Sequence, residues 1–198
     1  MFARPVIALL LSVAVASVSA ADPRAILGQN YAAPAGVGSE LIGTRPPEWQ
    51  VSDWLQSPPL ILAGLRGKVV LVRWWTGPQC PFCTASAEGL NALWAKDRDR
   101  GLVIVGMYHH KADSPLTREH VEHQIERLGF EFPVAVDSGW KTLRRWWLDG
   151  QPRGWTSVTF LLDREGRICH IHPGGAYFPG EPGYAALEAA VEKALVGN

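Results

Sequence analysis

GKVVLVRWWTGPQCPFC, residues 67–83, joins an apolar run to two closely spaced cysteines. VVLVRWW (69–75) is short, β-branched and almost wholly apolar, which predicts a buried strand. TGPQ (76–79) breaks it. A helix is predicted from about Pro81 to Lys96, with Leu90, Leu93 and Trp94 at helical spacing. Cys80 then stands at the helix start and Pro81 at its first position, where a missing N–H costs nothing. Cys83 follows three residues later, so its sulfur falls on the same side as that of Cys80. The two can close a small disulfide ring. Outward-pointing N–H groups and the positive end of the helix dipole favour thiolate over thiol at Cys80. A thiolate is the species that attacks a disulfide. Cys80 therefore reads as a nucleophile and Cys83 as the thiol that releases a mixed disulfide.

Further along, LVIVGMY (102–108) is a second buried strand, and 115–128 a helix with Val121, Ile125 and Leu128 on one face. Pro133 to Val136 is a third short strand, and 140–148 a helical turn carrying Trp146 and Trp147. VTFLLD (158–163) and RICHIH (167–172) flank Arg164-Glu165-Gly166, a hairpin signal. Residues 182–196 form a closing helix. Glu48 to Leu55 is a further short strand. Strands alternating with helices and then a hairpin predict an α/β fold: a mixed central sheet with helices on both faces.

The first twenty residues have the layout of a secretory signal peptide: Arg4, an apolar run over 5–18, and small residues at Val18-Ser19-Ala20. Cleavage after Ala20 is expected, and membrane association is not expected afterwards. Residues 21–46, rich in Ala, Gly and Pro, form an extended lead-in, and 47–198 a single domain. The leader's one arginine leaves 18 basic and 19 acidic side chains in the mature chain. That balance, with no basic run, excludes a nucleic-acid surface. Nine Trp point to an aromatic core.

Three cysteines are too few for a disulfide-stapled exported scaffold. A lone C-x-x-C could also be half of a zinc site, but a structural site wants four ligands. No metal ligand set is assigned, and no cofactor is called for. Cys169 is expected to be a buried hydrophobe.

GKVVLVRWW, CPFC, GLVIVGMY, FPVAVD and TFLLDREGRI together resemble the TlpA-type redoxins. These are exported, thioredoxin-fold thiol–disulfide oxidoreductases related to the thiol peroxidases. The resemblance runs from about Ile42 to Val196. It implies a thioredoxin-like fold, Cys80 as attacking and Cys83 as resolving cysteine, a protein thiol or a protein or small-molecule disulfide as substrate, and a redox partner protein. Three positions depart from the family's pattern. Ser157 stands where a cis-proline usually faces the disulfide, and a trans bond is expected there. Arg73 stands where a buried acid is usual, and Ser86 where a Glu is often found.

Other candidates follow from topology. Parallel strands end at one edge of a sheet, so His109 and His110, after the second strand, can approach the cysteines. Thr156 and Ser157 reach the same edge and are candidates for substrate binding. Trp74 and Trp75 alternate across the sheet, and Trp75 is the candidate for lining the groove. Two alternative functions stay open. One is a thiol peroxidase, although Thr76 lies four residues before Cys80 rather than three. The other is a copper- or zinc-binding module using Cys80, Cys83 and a histidine.

Overall fold

The computed structural model describes residues 36–77 and 79–197. The signal-peptide expectation at 1–20 and the lead-in up to residue 35 lie outside them.

Six strands form one sheet: β1 (Asp53–Leu55), β2 (Val69–Trp75), β3 (Leu102–Tyr108), β4 (Val134–Val136), β5 (Thr159–Leu162) and β6 (Ile168–His172). Their spatial order is β1-β4-β3-β2-β5-β6. β2 runs parallel to β3, and β3 to β4. β1, β5 and β6 pair antiparallel with their neighbours, so the sheet is mixed. The expected strand over Glu48–Leu55 is shorter than predicted. Only its last three residues pair, because β4 offers just Val134–Val136 as a partner.

Four helices accompany the sheet: α1 (Pro81–Asp97), α2 (Arg118–Leu128), α3 (Lys141–Leu143) and α4 (Pro182–Val196). α2 starts at Arg118 because the Thr117 hydroxyl accepts the N–H of His120 at 3.2 Å. It stops at Gly129, whose φ of 65° suits a left-handed cap. α3 continues into a π turn over Arg144–Leu148.

Strand alternation divides the core in two. Val69, Leu71 and Trp75 face α1, α2 and α4, where Leu90, Leu93, Ile125, Leu187 and Val191 are buried. Val70, Val72 and Trp74 face Leu143, Trp146 and Trp147. The second face is thus covered by a short helical segment and by loop residues such as Trp49 and Leu62. Part of the lead-in also joins the sheet's edge: Gly43 N–H donates to Ile168 O at 2.7 Å, and Ile168 N–H to Thr44 O at 2.9 Å.

Candidate active site

β2 ends at the sheet's carboxyl edge, and α1 begins six residues later. Cys80 is the N-cap of α1, with extended backbone (φ −97°, ψ 98°), and Pro81 follows as the first helical residue. The Cys83 N–H donates to Cys80 Sγ at 3.2 Å, so the sulfur takes the place of an ordinary capping oxygen. Cys80 and Cys83 are joined as a disulfide, with their Cα atoms 5.3 Å apart. Cys80 is half-buried, whereas Cys83 is only 2% exposed. Attack from outside therefore falls on Cys80, with Cys83 shielded behind it.

Cys80 opens into a cleft of about 130 Å³, lined also by Thr76, Phe82, His109, Lys111 and the coil residues Gly154 to Ser157. The fold brings Thr156, Ser157 and His109 to the cysteines. Lys111, which sequence reasoning missed, donates from Nζ to Thr156 Oγ1 at 2.6 Å. Its place after two histidines at a strand end was the available signal.

His109 is 1% exposed, and neither ring nitrogen has a hydrogen-bond partner among the described residues. Burial, and next the charge of Lys111, push its pKa from 6.5 down to about 3. The imidazole is neutral at physiological pH. His110 points elsewhere: its Nδ1 meets the Tyr108 hydroxyl at 3.0 Å and its Nε2 the carbonyl of Ser114 at 2.6 Å. It does not line the cleft.

Trp75 does not line the cleft either. It is buried on the α1 face, edge-on to Tyr108 and Phe130 with ring centroids 4.9 and 5.3 Å away. Gly106 on β3 makes this possible, since a Cβ there would lie 2.9 Å from Trp75 Nε1. The expectation that Trp75 faces a groove is corrected on this ground. Trp155, from the coil segment, occupies that role instead. Cys169 is corrected likewise. It is exposed, at the irregular register of β6, and lines a surface pocket with Ala190, Lys193 and Ala194 of α4.

The three departures from the family's pattern form one network. Arg73 lies on the α1 face of β2 and is wholly buried. Its Nη1 donates to Ser157 O, and to Thr159 Oγ1 at 3.3 Å. Its Nη2 donates to Ser86 Oγ at 3.2 Å and to Gly175 O at 2.9 Å. The Tyr177 ring centroid lies 4.8 Å from the guanidinium carbon. The Ser86 hydroxyl in turn donates to Phe82 O at 2.8 Å, inside the Cys-Pro-Phe-Cys turn. No cis peptide bond occurs among the described residues, so Ser157 is trans. Likewise, no group of three or more His, Cys, Asp or Glu among them is placed to share a metal ion.

A disulfide at the N-terminus of the helix that follows the central strand of a mixed sheet defines a thioredoxin-fold protein with a redox-active cysteine pair. Solved structures of the same fold include a thioredoxin-like superfamily protein (TM-score 0.62, 24% identity, covering 78% of this chain and 97% of that one). Another is a thiol:disulfide interchange protein of the thioredoxin family from Chlorobium tepidum (TM-score 0.58, 21% identity, 77% and 97%). The chain belongs to the Redoxin family, whose model matches residues 55–186. It is 28% identical over 127 residues to the thiol-disulfide oxidoreductase ResA of Bacillus anthracis, 64% of this chain and 66% of ResA. It is 28% identical over 159 residues to protein DipZ of Mycobacterium tuberculosis, 79% of this chain but 21% of DipZ. The chain thus spans just under two thirds of ResA and about a fifth of DipZ.

Proposed function

We propose that this protein is an exported thiol–disulfide oxidoreductase acting on protein disulfides or dithiols. The observation that carries the reading is the half-buried Cys80 at a helix N-terminus, bonded to a shielded Cys83 and opening into a cleft. Cys80 is the sulfur that exchanges with substrate, and Cys83 the one that closes or opens the internal disulfide. The helix N-terminus stabilises the Cys80 thiolate when the pair is reduced.

A cleft of about 130 Å³ is smaller than the roughly 300 Å³ at which small-molecule sites begin. It suits one cysteine side chain and its neighbours, which favours a protein substrate over a bulky small molecule. Thr156 and Ser157 flank that side chain. The neutral His109 lines the same cleft and adds no charge to it. Export rests on the signal-peptide pattern at residues 1–20, with residues 47–198 as the working domain and a second redox protein restoring the pair's oxidation state.

The test is trapping. Cys83→Ser should form a stable mixed disulfide through Cys80 with a disulfide substrate, and Cys80→Ser should not. Absence of any adduct in Cys83→Ser, together with no turnover of a test disulfide by the wild type, would overturn the reading.

A further inference from the structure

Arg73 is a cation with no anion beside it. It is wholly buried, forms no ion pair among the described residues, and meets only carbonyls, hydroxyls and the face of Tyr177. Isolating a charge in this way is costly, and buried charges are ordinarily paired. Neutral acceptors and an aromatic face offset part of that cost. The remainder calls for a counter-charge, and none of the described residues places one against it in the oxidised protein.

Reduction creates one. Opening the Cys80–Cys83 disulfide turns Cys83 into a thiol or thiolate 2% exposed to solvent. Ser86, which Arg73 Nη2 contacts, lies one helical turn after Cys83 on the same face of α1. Arg73 also holds the carbonyl of Ser157, a residue that lines the cleft. Its bonds thus link the helix turn that follows Cys83 to the coil that lines the cleft. The titratable groups that share its surroundings are Tyr177, His109 and His172, all neutral at physiological pH because burial opposes their charged forms. No carboxylate among the described residues is hydrogen-bonded to Arg73.

We propose that Arg73 is a positioning residue that stabilises the Cys83 thiolate formed on reduction, and so makes the Cys80–Cys83 disulfide an acceptor of electrons from substrate dithiols. The inference rests on the oxidoreductase reading and adds its direction. A substrate thiolate attacks Cys80 Sγ. The Cys80–Cys83 bond breaks, and Cys83 leaves as a thiolate against Arg73. The second substrate thiolate attacks the substrate sulfur of the mixed disulfide and releases Cys80 as a thiolate at the helix N-terminus. Two electrons pass from the dithiol to the protein, the substrate gains its disulfide, and its two protons go to solvent. Stabilising the thiolate product raises the pair's reduction potential.

The experiment equilibrates wild type, Arg73→Met and Arg73→Lys with dithiothreitol in the full-length chain. Arg73→Met should shift the equilibrium at least 10-fold toward the disulfide, about 30 mV for a two-electron couple. Arg73→Lys, whose ammonium keeps a positive charge only in part when wholly buried, should fall between wild type and Arg73→Met. Should Arg73→Met fail to fold, Cys83 is titrated by thiolate absorbance in Cys80→Ser on a Cys169→Ser background. It should ionise below the ordinary thiol value of about 8.5. Ionisation above that value, or a constant within two-fold of wild type in a folded Arg73→Met, overturns the role of Arg73 alone. A wild-type protein that exchanges no disulfide with dithiothreitol overturns the oxidoreductase reading itself.

Discussion

At the residue scale, single side chains decide how the site is shaped. Gly106 is the clearest case. It pairs with Arg73 across β2 and β3, and its missing side chain is the space the Trp75 indole fills. A Cβ there would meet Trp75 Nε1 at 2.9 Å and Phe132 Cε2 at 3.2 Å. Gly106→Ala is therefore expected to cost about 1–3 kcal/mol through overpacking, measurable as a lower urea midpoint. An unchanged midpoint would show that Trp75 moves aside freely. Arg73 was visible in the sequence as the one charge in an apolar strand. Its bond partners at Ser86, Ser157 and Gly175 were not, because they lie 13 to 102 residues away.

At the element scale, one carboxylate organises the cover of the second sheet face. Asp137 is buried and accepts from Trp74 Nε1 at 2.9 Å and from the N–H groups of Thr142 and Leu143 at 2.9 and 2.8 Å. It thus ties β2 to the start of α3, and Trp146 and Trp147 follow from that anchor. Asp137→Ala leaves three buried donors without a partner, and a loss of about 3 kcal/mol or more is expected in chemical unfolding. Asp137→Asn, which keeps two acceptor lone pairs, should lose less. Equal losses for the two would show that charge, rather than hydrogen bonding, holds the segment. The 140–148 turn was legible from its position. What pins it was not, since a lone Asp after a strand carries no sign of burial.

At the scale of the whole molecule, stability is tied to pH through a buried and a half-buried histidine. His109 and His172 are each held at a pKa of about 3 in the folded protein, against 6.5 for the free side chain. Burial is the main cause in both. When unfolded, each takes up a proton as pH falls through 6.5, while the folded protein does not until near 3. Stability is therefore full above pH 6.5 and declines as pH falls through that window. Each histidine contributes a loss of about 2 kcal/mol between pH 7 and pH 5. Urea unfolding at the two pH values checks this, and His109→Leu should reduce the loss by about one histidine's share. A wild-type stability equal at pH 5 and pH 7 would show that these imidazoles reach water in the folded state.

The sequence by itself determined the sheet, the long helices and the cysteine pair. Those depend on local signals: a β-branched apolar run, helical spacing, Pro81 at a helix start, and Gly166 (φ 70°) turning the hairpin. Periodicity records which face of an element is apolar, and that sufficed to order the core. Only the tertiary structure decided the surroundings of the pair. It put Trp75 into the core, left Cys169 exposed, sent His110 to Tyr108 and buried His109 with neither ring nitrogen hydrogen-bonded among the described residues. It also joined Arg73, Ser86 and Ser157 in one network. The reason is physical: burial and charge compensation depend on residues brought together from distant parts of the chain, and neither composition nor spacing encodes who meets whom.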